Sequence, residues 1–153
     1  MISARLVHLI ESNGEQIIDR ALALIRSEPE MPQTRTLLDH EIREWSRDLL
    51  RNLGTWLTGG NEQVLALRYE RLGKLCFEQV IPLDEAIRGL ATLREKMLDF
   101  AEEHLISNSS VELYAEEELD RRLGRFFDLL NIQLVKGFEQ AARSPVAARL
   151  VTH

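Results

Sequence analysis

The sequence is poor in residues that break helices or build covalent and metal sites. Its 153 residues include 8 glycines, 4 prolines and 1 cysteine, and aromatic residues make up 6%. Few helix breakers together with 26 leucines favour an all-α fold. The lone cysteine, Cys76, excludes an intramolecular disulfide and a zinc site built from cysteines, and it is typical of a reducing cytoplasm.

Cationic charge and long apolar runs are also scarce. The formal net charge is −6, which removes the electrostatic basis for non-specific nucleic-acid binding. The longest apolar runs, such as residues 21–25, fall far short of the roughly 20 residues that span a bilayer. The N-terminus carries no apolar signal core, so we expect a cytoplasmic protein that neither enters a membrane nor is secreted. The length fits one domain over residues 1–144, followed by a flexible tail over 145–153.

Apolar residues recur at steps of three and four over five segments, which predicts a bundle of about five long helices. The first helix is expected to continue from Ile2 to Leu24, although Ser12 and Glu15 form a capping-box pattern that would restart a second helix there. The others are expected over about 36–57, from Asn61 to Pro82, from Pro82 to Ser107, and over about 111–143.

The last predicted helix is apolar nearly all round in its second half, so both of its sides must be covered. A monomer of this size would cover both sides with difficulty. We therefore expect a homodimer through this helix, as a helical bundle across a two-fold axis. The predicted interface residues are Phe126, Leu129, Leu130, Ile132, Leu134, Val135 and Phe138.

Catalytic and metal-binding patterns are missing from the sequence. Its four histidines fall in four different segments, and none belongs to a triad or elbow signature. A metal site from His40 and Glu44 would place both side chains on one helix face, but the same phase puts His40 opposite Trp45 and predicts a solvated histidine. We expect no enzyme, no catalytic residue and no metal site.

One stretch, from Arg71 to Glu95, resembles a known family. Its matching elements are Arg71 and Gly73, the Ile-Pro-Leu turn at 81–83, and a leucine-spaced helix ending at Leu93-Arg94. The stretch is similar to the central part of the RsbR-type co-antagonist N-terminal domain, the non-haem, globin-like sensory domain of stressosome proteins that regulate the general-stress sigma factor.

The resemblance implies a globin-like helical bundle that passes a signal through its last helix. In related haem-binding sensors a histidine stands where Cys76 stands here, so the resemblance implies a domain without haem. It also implies a pocket between the third, fourth and fifth helices, for which the candidate lining residues are Trp45, Tyr69, Cys76, Phe100 and His104. Because the chain ends at His153, we expect either a stand-alone sensor that acts through another protein, such as an RsbT-type kinase, or a member of a mixed assembly that dimerises with full-length relatives carrying an output domain.

Two alternatives remain open at this point. The first is a haem or gas-sensing globin-like domain, which an absorption spectrum would reveal. The second is a histidine phosphotransfer or partner-docking bundle, in which the surface residue His40 would carry the phosphoryl group.

Overall fold

The computed structural model describes residues 4–37, 39–105 and 110–144, and the regular secondary structure within these ranges is helical, with no strand. The all-α prediction is therefore confirmed. A short 3-10 helix, Thr34–Thr36, lies in the loop after the second α-helix. The α-helices are α1 (Ala4–Ser12), α2 (Gly14–Ser27), α3 (Asp39–Arg51), α4 (Leu53–Leu57), α5 (Glu62–Glu78), α6 (Leu83–Glu103) and α7 (Ser110–Ala142).

The described ranges contain seven α-helices where five were expected, because each of the first two predicted helices is interrupted at an asparagine. The side chain of Asn13 donates to the carbonyl of Leu9 at 2.7 Å, and its backbone leaves the helical region. Asn52 interrupts the second predicted helix in the same backbone conformation. A short polar side chain that competes for the helix's own carbonyls accounts for the break at Asn13. The favoured prediction of one continuous first helix is thus wrong.

The boundaries of the other three helices agree with the sequence pattern to within a few residues. Asn61 occupies the cap position of α5 in the left-handed conformation, with φ of 56°, but its side chain caps no backbone amide. Pro82 directly precedes α6, where its fixed φ and missing N–H suit a helix start. The predicted tail over 145–153 lies outside the described residues.

The helices bury one core, in which α7 is the longest element. It packs along α5 and also against α6, while α2 packs against α6 and α3, and α1 lies over α4 and α6. Phe100 and Met97 of α6 are fully buried at its centre. No helix in the described ranges combines the length and the apolar content needed to cross a bilayer.

Candidate functional site

A cavity of about 310 Å³ lies where α3, α5 and the first turns of α6 meet under the loop that follows α2. Its lining is more apolar than that of three other concave sites formed by the described residues, which makes it the default ligand-site candidate. Its apolar walls are Ile25, Leu37, Ile42, Trp45, Leu72, Leu75, Cys76, Ile81, Ala86 and Leu90.

The turn between α5 and α6 shapes one end of this cavity. After α5 ends, the amide of Ile81 donates to the carbonyl of Cys76 at 2.8 Å, which satisfies one of the last helical carbonyls. This closing pattern requires a residue in the left-handed region, and the chain places Val80 there with φ of 58°. A β-branched residue is strained in that conformation, so the packing of Ile81 and the start of α6 at Pro82 hold the turn in place.

Two of the predicted pocket residues line this cavity, and a third supports one of them. Trp45 of α3 and Cys76 of α5 are part of its wall. Tyr69, which is buried, meets the Trp45 ring edge-on with 6.0 Å between centroids. The cavity thus includes two of the predicted residues, but most of its lining residues lie on α3, α5 and α6 and none lies on α7, whereas the predicted pocket lay between α5, α6 and α7.

The other two predicted pocket residues lie elsewhere. Phe100 is buried in the main core, and His104 is exposed at the C-terminal end of α6, where its ring stacks on Phe100 with 4.3 Å between centroids. The Nδ1 atom of His104 is 2.8 Å from the carbonyl oxygen of Phe100. The cavity borders the N-terminal end of α6, so these residues are several helical turns away from it. The prediction that all five residues line one pocket is wrong.

Two ionisable groups of α5, Cys76 on the cavity wall and Tyr69 behind Trp45, are buried and protonated at neutral pH. Burial raises the pKa of the Cys76 thiol to about 11. Burial also raises the pKa of Tyr69, against a smaller opposing effect of the Arg68 charge. A neutral thiol is a poor nucleophile and a poor metal ligand. Within the described residues no group of three His, Cys, Asp or Glu side chains is placed to hold a metal ion.

A buried carboxyl group at the edge of the cavity escaped the sequence reasoning. Glu85, in the first turn of α6, is only 2% exposed, and its Oε1 accepts hydrogen bonds from the amide of Gln33 at 3.1 Å and from the amide and hydroxyl of Thr34 at 2.9 and 3.0 Å. These bonds fasten the loop after α2 onto α6. An acidic residue in a first helical turn is usually a solvated dipole partner, so the sequence offered no signal for this role.

On its other face, α5 meets α7 with the two backbones in contact. A Cβ atom added at Gly73 would overlap the carbonyl oxygen of Leu134, and one added at Gly137 would overlap the carbonyl oxygen of Glu70. Each helix thus needs a glycine where it crosses the other. Beside this crossing the rings of Phe77 and Phe138 meet edge-on, with 5.4 Å between centroids.

This crossing changes the interpretation of the predicted interface on α7. Phe126, Leu130 and Leu134 are buried by the chain's own helices and offer no surface to a partner. In the single chain these three residues pack against its own helices, and the predicted dimer interface stays a prediction. Leu129, Val135 and Phe138 are half-buried, and Ile132 is 61% exposed.

The exposed stripe of α7 around Ile132 carries charged residues without an ion pair among the described side chains. Arg125, Asp128 and Lys136 are exposed, and none of them forms an ion pair with another described side chain. We call the surface formed by Arg125, Asp128, Leu129, Ile132, Val135, Lys136 and Glu139 the α7 stripe.

No family model, curated protein sequence or solved structure matches this chain.

Proposed function

We propose that the chain is a non-catalytic regulatory sensor module that works as a homodimer through α7 and modulates a stress-signalling partner, in the manner of RsbR-type co-antagonist domains. The observation that carries this proposal is the position of α5. One face of α5 borders the cavity through Leu72 and Cys76, and the other contacts α7 at Gly73. A ligand in the cavity presses on the helix that touches α7.

Backbone contact is what makes this path effective. A flexible side chain between two helices can absorb a small displacement by changing rotamer, whereas two backbones in contact move together. A ligand shifts the state of α7 only by as much as it prefers one arrangement of α5 over another. The globin-like frame belongs to this same proposal.

The α7 stripe supports dimerisation because it is complementary to itself. If two copies of α7 pack antiparallel around a two-fold axis at Ile132, residues equally far before and after Ile132 face each other. Four residues out, Asp128 meets Lys136 of the second copy, and three residues out, Leu129 meets Val135. Seven residues out, Arg125 meets Glu139.

The complementarity ends further along the helix. Eleven residues from Ile132, Arg121 would face Arg143 of the second copy. Each of these arginines pairs with a carboxylate of its own chain, Arg121 with Glu118 at 3.2 Å and Arg143 with Glu139 at 3.4 Å. The proposed contact therefore spans the central turns of α7.

Sedimentation velocity tests the dimer. We expect the wild-type chain to sediment as a dimer at micromolar concentration and the Ile132→Glu variant as a folded monomer, because Ile132 is exposed in the single chain. The matched control is Leu67→Glu, which places the same charge at a residue of α5 that is 65% exposed. A wild-type monomer, or an Ile132→Glu dimer, would contradict the proposal.

A charge exchange tests the antiparallel register. Asp128→Lys alone places a lysine opposite Lys136 of the second copy, and the two-fold axis repeats this contact. At about 0.7 kcal/mol for each contact, the dimer should be weakened roughly tenfold. Adding Lys136→Asp to that variant should restore wild-type affinity. Glu78→Lys, an equal charge change at an exposed position of α5, is the control. Failure of the double variant to recover would exclude this register.

The output partner in this proposal is an RsbT-type kinase or a full-length relative. Calorimetric titration of such a kinase with the purified chain measures the interaction directly. We expect the wild-type chain to bind the kinase and Ile132→Glu to bind it with a different affinity, because in this proposal the affinity of the partner depends on the α7 dimer. Absence of heat with every RsbT-type kinase of the same genome would contradict this assignment.

A further inference from the structure

We propose that the cavity binds a small amphiphilic cation, a molecule with an apolar body of about ten atoms and one ammonium-like group. The inference rests on the sensor function proposed above and names the class of its ligand. It is carried by the cavity wall, where the residues with a formal charge are all glutamates.

The cavity wall contains three carboxyl groups and no lysine or arginine. Glu85 lies on α6, and Glu41 and Glu44 lie on α3, with Glu44 exposed at the rim. Two neighbouring arginines are engaged with other groups. Arg26 pairs with Asp39 and donates to the carbonyl of Leu37 at 2.8 Å, and Arg88 pairs with Glu30 at 2.7 Å. A ligand that carried its own carboxylate would therefore find three carboxyl groups and no lysine or arginine on the cavity wall itself.

Glu85 is the carboxyl group that a bound cation would stabilise most. Its three hydrogen bonds from Gln33 and Thr34 all go to Oε1, so Oε2 takes part in none of them. Among the described residues no arginine or lysine pairs with Glu85, although it is almost fully buried. A buried carboxyl without a cation is costly, and a bound ammonium group would offset that cost through a charge-assisted hydrogen bond.

The remainder of the cavity suits an alkyl or small aromatic body. Its volume of about 310 Å³ is at the lower end of the range for small-molecule sites. At roughly 30 Å³ for each water-sized group, it holds about ten heavy atoms. Apolar surface is contributed by Trp45, Leu72 and Leu90. Contact with this surface favours the burial of carbon atoms but not of a second polar group.

Three probes of equal length test the inference: n-octylammonium, n-octanol and n-octanoate. Binding is measured by calorimetry and by protection of Cys76, which lines the cavity, from an uncharged thiol reagent. We expect octylammonium to bind about tenfold more tightly than octanol, and octanoate to bind most weakly. Equal binding of all three, tightest binding of octanoate, or no binding of octylammonium would overturn the inference.

Variants locate the binding and the charge recognition. Ala86→Leu, on the cavity wall, should abolish binding of every probe, whereas Ala91→Leu, exposed on the same helix, should leave it unchanged. Glu85→Gln should remove most of the preference for octylammonium over octanol while octanol binding persists. If circular dichroism shows that Glu85→Gln does not fold, Glu44→Gln at the rim provides the same comparison. Retained preference in a folded Glu85→Gln variant would overturn the role of Glu85.

Failure of this inference is distinguishable from failure of the proposed function. The sedimentation experiments on the α7 stripe use no ligand. A stable α7 dimer that binds none of the probes would overturn the ligand class and leave the dimeric module standing.

Discussion

The two faces of α5 are packed in opposite ways. Toward α7 the backbones touch, with no room for a Cβ at Gly73 or Gly137. Toward α3 and α6 the same helix borders a cavity of about 310 Å³ through Leu72 and Cys76. In the proposed function, the close contact with α7 lets α5 couple the cavity to α7, and by linkage the coupling acts equally in both directions.

The largest expected effect comes from adding atoms where the backbones of α5 and α7 touch. Gly137→Val should destabilise the chain by at least about 3 kcal/mol, because its side chain has to displace the backbone of Glu70. Urea unfolding followed by circular dichroism measures this loss. Gly89→Ala in α6 is the control, since a Cβ there lies 3.7 Å from Met31 Cε, an ordinary contact, and should change stability by no more than about 1 kcal/mol in the stabilising direction. A similar loss in the free energy of unfolding in both variants would contradict the claim that Gly137 has less space around it than Gly89.

Removing atoms from the two faces should have unequal costs. Leu134→Ala, at a fully buried position beside Gly73, should cost about 3 kcal/mol, because the rigid crossing cannot collapse around the void. Leu72→Ala, at a half-buried position on the cavity wall, should cost about 1 kcal/mol because it only enlarges an existing space. The same unfolding experiment compares them, and an equal cost would show that the cavity is filled in solution.

The smallest expected effect depends on pH. It tests whether the face of α5 that borders the cavity is apolar. Burial raises the pKa of Cys76 from its ordinary value of 9.0 to about 11. As the pH rises above 9 the unfolded chain loses this proton first, so the free energy of unfolding falls until about pH 11, with no contribution near neutral pH.

Comparison with Cys76→Ala isolates this effect. Tyr69 titrates in both chains and shifts their stabilities alike. The stability advantage of the wild type over Cys76→Ala should therefore shrink between pH 8 and pH 10.5, as measured by urea unfolding. An advantage that stays constant would mean that water solvates the thiol and that the cavity is not apolar.

The sequence predicted the helical class and three of the long helices because apolar periodicity reports which face of a helix is buried. It did not predict the breaks at Asn13 and Asn52, where a single residue decides between one helix and two. It placed Trp45 and Cys76 correctly on the cavity wall. It misplaced His104, because helical phase reports the side of α6 on which a residue lies and not its distance along the axis.

The sequence pattern did not predict the backbone contact between α5 and α7, for a different reason. Periodicity identified Leu130 and Leu134 as apolar but could not say whether another chain or α5 covers them. The usable signal was the pair Gly73 and Gly137, because a glycine inside a helix costs about 1 kcal/mol relative to alanine and is retained where backbones approach closely. Glu85 gave no comparable signal, since its burial depends on a loop that is distant in sequence.

The dissociation constant of the α7 dimer, measured with the cavity open and with it filled, tests the central claim most directly. Sedimentation of Ala86→Leu, which occupies the cavity, is compared with that of Ala91→Leu and the wild type. We expect the dissociation constant of Ala86→Leu to differ at least about fivefold from the other two, which should agree with each other. Identical dissociation constants for all three chains would show that the cavity and α7 are independent and would contradict the proposed function.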